Sequence, residues 1–498
     1  MKLEIVADRR LHPATFLTRA IKSLPQYALG LPAMVGMVSG SGLRILILIA
    51  LGGIAAALAG GYLYWRRFRY GVGNREIVIE SGIFHRQRRV IPFDRIQDID
   101  IEQGLLSRLF GTAKVKIETG GGSKNEGDLD SVALEEAHRL REILRRGHQA
   151  GPAEGQDIVE APSPIDEPLI FGMDLRRVLL AGLFNFSLIY LAFIFGGLEY
   201  LEAWFGIDPW SLDWIGPARS LAAEVSWAAT AFAFLVIIIL GVVVGILRTI
   251  ARDYNFRLTR VPGGLRRQRG LFTLSEVVIP FRRVQLAVIQ AGLVARYFGW
   301  YRLEFQTLNA DAARSGHQVA APFARIEEVL PILGAVHKAT MPPDRDYVRV
   351  SKRHILRQSL RWLSLGALFI LGLSIAWPPG LALLLVLPLG VAAAALQWRH
   401  HRYCPTPDAI HVRQGWLTRR LWIVPYEKIQ SISVDQGPLQ RKLSLASIAI
   451  DTAGASLLRA PNIINLPAAD AESLAARLMV AHLEARAMLR RRVKTPIS

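Results

Sequence analysis

Residues Gly415–Thr452 read GWLTRRLWIVPYEKIQSISVDQGPLQRKLSLASIAIDT, and two other stretches follow the same plan. Gly82–Thr119 reads GIFHRQRRVIPFDRIQDIDIEQGLLSRLFGTAKVKIET, and Gly270–Thr307 reads GLFTLSEVVIPFRRVQLAVIQAGLVARYFGWYRLEFQT. They align without a gap: Gly82, Pro92, Gln97, Gly104 and Thr119 correspond to Gly270, Pro280, Gln285, Gly292 and Thr307, and to Gly415, Pro425, Gln430, Gly437 and Thr452. Self-similarity at fixed spacing means one supersecondary unit used repeatedly. Its inner pattern is period two, as in Ile77 and Ile79, Ile99 and Ile101, and Val115 and Ile117, which marks half-buried antiparallel strands. The leading glycine reads as a turn position that needs positive φ, and the proline as a strand start, edge or bulge.

Outward from each repeat, the pattern changes period. Val132–Arg146 places Val132, Leu140, Ile143 and Leu144 on one helical face, and Phe323–His337 and Ala468–Met488 close the other copies in the same way. Ahead of each copy lies apolar sequence long enough to cross a bilayer, which takes about 20 residues per helix. Leu43–Trp65 is such a run and ends on Arg66 and Arg67; Val178–Leu201 with Trp227–Leu247, and Leu360–Trp377 with Leu381–Trp398, form two more pairs. The segment Ala20–Val38, broken by Lys22, Pro25 and Pro32, reads either as a span or as an interfacial or re-entrant helix.

The expected order is therefore an N-terminal segment 1–19, a transmembrane hairpin 20–65, a module 66–147, a linker 148–175, a hairpin 176–248, a module 249–340, a linker 341–358, a hairpin 359–398, a module 399–489 and a basic tail 490–498. Apolar residues make up 51% of the chain and the formal net charge is +19. Arginines crowd the ends of the apolar runs, so the charge is read as positive-inside bias rather than as a nucleic-acid footprint. Six spans put both termini and all modules in the cytoplasm. The single cysteine, Cys404, excludes an intrachain disulfide and a multi-cysteine metal cluster. No HExxH, GxSxG, phosphate-binding loop or paired Cys-x-x-Cys occurs, so no catalytic, metal or cofactor residue is assigned.

The motif Val424-Pro425-Tyr426-Glu427-Lys428-Ile429-Gln430, followed by Asp435-Gln436-Gly437-Pro438-Leu439-Gln440-Arg441-Lys442, resembles the bacterial PH-like domain of the DUF304 or bPH2 type. The tandem arrangement resembles the YdbT-like multi-pass membrane proteins. The first copy keeps Gln103-Gly104 and Arg108; the second has Ala291 before Gly292 and keeps Arg296. The resemblance implies a multi-pass α-helical membrane protein with three cytoplasmic α+β PH-like domains, each a bent antiparallel sheet or barrel with a C-terminal helix.

Candidate binding residues follow from charge and recurrence. Arg86, Arg88 and Arg89, their counterparts Arg419 and Arg420, and Arg266, Arg267 and Arg269 suit an anionic membrane surface. Arg108, Arg296 and Arg441 follow the glycine turn and suit a lipid phosphate or an acid of the same module. The recurrent Gln97, Gln285 and Gln430 suit a buried amide bonded to strand or bulge backbone, or a ligand contact. The function expected is a non-enzymatic inner-membrane scaffold of bacteria, whose modules bind protein partners, anionic phospholipid headgroups or one another. The competing reading is a lipid or small-molecule transporter or its accessory subunit, against which stands the scarcity of ionisable residues inside the helices.

Overall fold

Each copy turns its corners at the recurrent residues. Gly82, Gly270 and Gly415 have φ of 115°, 118° and 87°, in the left-handed region that costs glycine little. A Cβ at any of them would run into a backbone carbonyl oxygen, of His85, Thr273 or Thr418. Pro92, Pro280 and Pro425 end a strand and cap the 3-10 turns Phe93–Arg95, Phe281–Arg283 and Tyr426–Lys428, with φ of −65°, −68° and −62°, the range to which the ring confines proline. The glutamines come next. The strand register slips between Ile96 and Asp98, Val284 and Leu286, and Ile429 and Ser431, so Gln97, Gln285 and Gln430 occupy the same bulge in every copy.

The computed structural model describes residues 8–22, 42–73, 75–82, 85–119, 127–149, 167–185, 227–308, 317–337, 340–376, 378–453 and 460–494. Two compact units are formed, Met1–Thr259 with Arg266–Val278 and Arg260–Leu265 with Ile279–Ser498. In the first copy β1 (Arg9–Arg10), β2 (Arg69–Val72), β3 (Glu76–Ser81) and β4 (Gln87–Pro92) form one sheet in that order. Then come β5 (Ile96–Gln103), β6 (Thr112–Thr119), β7 (Gly127–Ala133) and the closing helix Leu134–Gln149. The second copy repeats this with β8 (Leu169–Gly172), β9 (Arg257–Val261), β10 (Gly264–Arg269), β11 (Leu274–Pro280), β12 (Val284–Gly292), β13 (Tyr301–Thr307), β14 (His317–Ala324) and the helix Ile326–Val336. The third has β15 (Val348–Arg349), β16 (Arg402–Pro405), β17 (Ala409–Gln414), β18 (Thr418–Pro425), β19 (Ile429–Asp435), β20 (Leu445–Thr452), β21 (Asn462–Pro467) and the helix Ala468–Lys494.

This order corrects the expected linkers. Residues 148–175 and 341–358 hold β8 and β15, and residues 1–19 hold β1; each is the first strand of the following copy and pairs with its second, as in Arg9 with Tyr70 and Val348 with Tyr403. In the third copy the apolar helices Arg353–Ala376 and Leu387–His400 are thus inserted between the first two strands of the sheet. Strands of two to four residues carry too little periodicity to be read from sequence. The same hydrogen bond fastens the insertion in two copies: the Trp65 indole donates to the Leu11 carbonyl at 2.8 Å, and the Trp398 indole to that of Val350 at 2.9 Å.

The sheets also run on from copy to copy. The seven-stranded sheet β7-β6-β5-β11-β10-β9-β8 joins the last three strands of the first copy to the first four of the second, and β14-β13-β12-β18-β17-β16-β15 does so for the second and third. In the first unit β5 pairs with β11, Gln103 opposite Leu274 and Ile101 opposite Glu276; in the second β12 pairs with β18, Ala291 opposite Arg419 and Ile289 opposite Leu421. In the repeat alignment Gln103 corresponds to Ala291 and Leu274 to Arg419, so both junctions have one register.

Apolar cores lie inside the copies. Ile77, Ile99, Val115, Leu129 and Leu140 fill that of the first copy, and Val412, Val424, Ile448, Ile463 and Leu474 that of the third. Burying one such side chain contributes about 1.5–3 kcal/mol. Among the described residues Leu235–Asp253, Arg353–Ile375 and Leu383–His400 are helical stretches long and apolar enough to cross a membrane, and Gly42–Arg67 is helical over the run read from sequence. The expected arm Leu381–Trp398 differs in detail, since Pro378–Val386 is a nine-residue 3-10 segment and the α-helix starts at Leu387, with proline in its first turn. A 3-10 segment rises about 2.0 Å per residue, so this short arm reaches further than an α-helix of equal length. The segment 23–38 and the stretch 186–201 lie outside the described residues.

Candidate functional site

The helix Arg353–Ala376 starts polar. His354, Arg357 and Arg361 recur at i, i+3 and i+7 and share one face. That face borders a cavity of about 420 Å³, completed by Gln397 and His401 at the end of the returning helix, Gln414 to Trp416 at the β17–β18 turn, Asp435 on β19, Ser447 to Ala449 on β20, and Asn462 and Ile464 on β21.

Asn465, next to the lining residue Ile464, ties two of these side chains together. Its φ of 63° is a left-handed conformation that asparagine adopts more readily than most residues. Its Oδ1 accepts from the Arg357 guanidinium at 2.7 Å and from the Gln440 amide at 2.9 Å, and its Nδ2 donates to His354 Nδ1 at 2.9 Å. Gln440 also donates to Ser447 Oγ at 2.7 Å. Since His354 Nδ1 accepts, its ring proton sits on Nε2. That nitrogen is buried and has no hydrogen-bond partner among the described residues, as is Asn462 Oδ1. His401 stands edge-on to His354 with centroids 6.0 Å apart, and its Nε2 accepts from the Ile464 amide at 3.4 Å. Burial, reinforced by His354, pushes His401 down to about 3, so the ring is neutral at physiological pH. The cavity lining therefore brings together Arg357, Arg361 and neutral imidazole rings against one carboxylate, Asp435. That is the chemistry of an anion site.

Exposed apolar side chains recur at equivalent turns of the copies. In the first unit the β10–β11 turn is bonded to the end of the membrane helix, Gly270 N to Tyr254 O at 2.9 Å and Leu271 N to Ala251 O at 3.1 Å. Phe272 on that turn, and Leu105 and Leu109 on the short helix Leu105–Leu109, are exposed. In the second unit Leu293, Val294, Tyr297, Phe298 and Leu417 are exposed at the corresponding places.

The arginines singled out from sequence lie elsewhere. Arg86 is exposed, Arg88 lies 3.7 Å from Glu80, and Arg89 donates to Gln87 at 3.2 Å. Arg266 pairs with Glu167 at 2.9 Å and Glu276 at 3.5 Å, Arg267 is buried, and Arg269 pairs with Asp253 at 3.0 Å. Arg108 donates to the Leu271 carbonyl at 2.8 Å, Arg296 is half-buried, and Arg441 is exposed. Arg419 contacts His400 at 2.8 Å, and Arg420 lies opposite Gln290 in the β12–β18 ladder. Gln285 is buried and donates to the Arg283 carbonyl at 3.0 Å; Gln430 is exposed, and the Gln97 side chain lies outside the described residues. None of these residues lines the cavity. The residues that do line it are far apart in sequence, and nothing local ties Arg357, Arg361 and His401 to Ser447 or Asn462.

The bacterial PH domain family matches residues 23–148, 212–340 and 360–481. The UPF0699 transmembrane protein YdbT of Bacillus subtilis (strain 168) is 24% identical over 430 residues, 82% of this chain and 84% of that protein. The UPF0699 transmembrane protein YdbS of the same organism is 38% identical over 79 residues, 16% of this chain and 48% of that protein. No solved structure matches the chain. The family match covers most of the sequence in three blocks, and the chain belongs to the bacterial PH domain family.

Proposed function

We propose that this protein is a multi-pass scaffold of the bacterial inner membrane, with its PH-like domains on the cytoplasmic side, and that the third domain holds an anionic phospholipid headgroup in the cavity beside the helix Arg353–Ala376. The observation that carries this reading is the convergence of Arg357, Arg361 and His354 on one cavity, in the first turns of a helix apolar enough to cross a membrane. A phosphodiester entering from the lipid surface would meet two guanidiniums, each charge-assisted bond being worth about 1.5–3 kcal/mol. The exposed apolar side chains around the hairpin tips suit the interfacial layer of the same bilayer. Arginine-rich helix ends support cytoplasmic placement. Neither the family description nor the relatives' names carries a reaction, and the proposal includes none.

Full-length protein in nanodiscs tests the reading. Native mass spectrometry should find phosphatidylglycerol retained over phosphatidylcholine, with retention lost in Arg357→Gln and kept in Arg86→Gln. Equal retention of the two lipids by the unaltered protein would sink the proposal.

A further inference from the structure

The repeat has two complementary edges, and among the described strands each is used only twice. One edge is the strand that ends at the recurrent proline, β4, β11 or β18; the other is the strand that follows it, β5, β12 or β19. Within the chain β5 takes β11 and β12 takes β18, in equivalent registers. This leaves β4 and β19. Each is the terminal strand of its sheet, in the orders β1-β2-β3-β4 and β19-β20-β21, and neither has a ladder partner on its outer edge among the described strands.

Burial records the difference. β12, which is paired on both sides, is buried along nearly its whole length, whereas β19 is exposed from Gln430 to Asp435 except for a half-buried Ile432. The inner half of β18 is buried, but β4 leaves Val90 48% exposed; Val434 on β19 is 39% exposed. The junction contact follows the same rule. Arg108 reaches across to the Leu271 carbonyl of the following copy at 2.8 Å, while the equivalent Arg441 is exposed at the end of the series. Charged side chains often shield a free strand edge. They do not prevent pairing here, because β18 carries Arg419 and Arg420 at the positions of Arg86 and Gln87 and is nonetheless paired.

We propose that two copies of this chain associate head to tail, the β19 edge of one adding to the β4 edge of the next and continuing the series of domains across the chain boundary. The register of the internal junctions transfers directly. Ile289 opposite Leu421 becomes Val434 opposite Arg88, and Ile432 falls opposite Val90, with Asp435 flanked by Arg86 and Arg88. Strand addition of this kind draws its affinity from main-chain hydrogen bonds and its specificity from alternate side chains. A heterologous contact closes into a ring or continues as an open array.

Disulfide trapping in membranes tests the register. In a Cys404→Ser background, chains carrying Val434→Cys should cross-link to co-expressed chains carrying Arg88→Cys, and Ile432→Cys to Val90→Cys. Each variant alone should give no dimer, and the offset pair Val434→Cys with Val90→Cys should give far less. By mass photometry in nanodiscs, Val434→Lys should weaken association about fivefold by setting like charges opposite one another, and adding Arg88→Glu should restore it. The proposal is overturned if the unaltered protein stays at the 55.2 kDa of one chain at every concentration, if offset and in-register pairs cross-link equally, or if Val434→Cys traps a different protein and no second copy.

Discussion

The first and third copies share a backbone plan, yet they treat the same positions in opposite ways. In the first, Lys114 bridges Asp128 at 2.8 Å and Asp130 at 3.5 Å, Lys116 bridges Glu102 at 2.5 Å, and Arg19 bridges Asp130 at 3.0 Å. In the third, the repeat alignment and the β20–β21 register put Ser447 and Ala449 in place of the lysines, Asp435 in place of Glu102, and Asn462 in place of Asp128. Shortening those side chains opens the cavity, while Thr15 and Thr18 of the first copy give way to His354 and Arg357. One fold thus serves as a self-satisfied ionic surface in one place and as an open basic pocket in another. The corners at glycine, proline and the bulge are common to both; the side chains that face the cavity are not.

Filling the third copy to resemble the first should have the largest effect. Ser447→Lys with Asn462→Asp should close the cavity and cut anionic-headgroup retention tenfold or more, with the hydrogen-exchange protection of β20 intact. An unchanged retention would separate the lipid contact from the cavity. Asn465→Ala should follow, since it strands Arg357, Gln440 and His354 together and puts at positive φ a residue without asparagine's tolerance for it. A buried polar group left unsatisfied costs about 1–3 kcal/mol, which native-state exchange on β21 would register as faster opening.

A smaller, pH-dependent contrast should separate the copies. His401, His411 and His337 are depressed in the folded state, chiefly by burial, to about 3, 4 and 4. The unfolded chain therefore binds more protons below about pH 6.5. Stability of the second unit is fully present above that value and falls as pH drops towards 4, by up to about 1.4 kcal/mol per pH unit for each histidine. Lys114 behaves in the other sense. Burial opposes its charge, but Asp128 outweighs burial and raises its pKa, so its contribution is present below the ordinary lysine value and fades as alkaline pH passes the folded one. Exchange of peptides from each unit at about pH 5 and 7 would show the acid loss and urea unfolding at about pH 8 and 12 the alkaline one, and loss of the third copy's protection at alkaline rather than acid pH would refute the assignment. The least effect is expected from Lys116→Met, a partly exposed pair worth about 0.2–1 kcal/mol, seen as a slight rise in β6 exchange.

What was legible beforehand were features set by neighbours in sequence. Period-two alternation, the turn glycines, the prolines and the helical stripes each depend on a few adjacent residues, and they placed the strands and closing helices to within a few residues. The strands β1, β8 and β15 were not legible, because two to four residues show no period and their partners lie beyond a long apolar insertion. The arginines singled out were prominent by density, whereas several of those in the structure are occupied with carboxylates such as Glu167 and Asp253. His354, Asn465 and Ser447 were passed over because each is unremarkable among its neighbours and significant only beside the others.

By itself, then, the sequence determined that this protein repeats one strand-rich unit three times and sets apolar helices between the copies, because hydrophobic period and backbone stereochemistry are local. Tertiary structure decided where one copy's sheet passes into the next, which strand edges stay open, and which polar side chains meet at the start of the helix Arg353–Ala376. Those outcomes depend on hydrogen bonds and burial between residues a hundred or more positions apart, such as Arg357 with Asn465, and no window of sequence contains both partners.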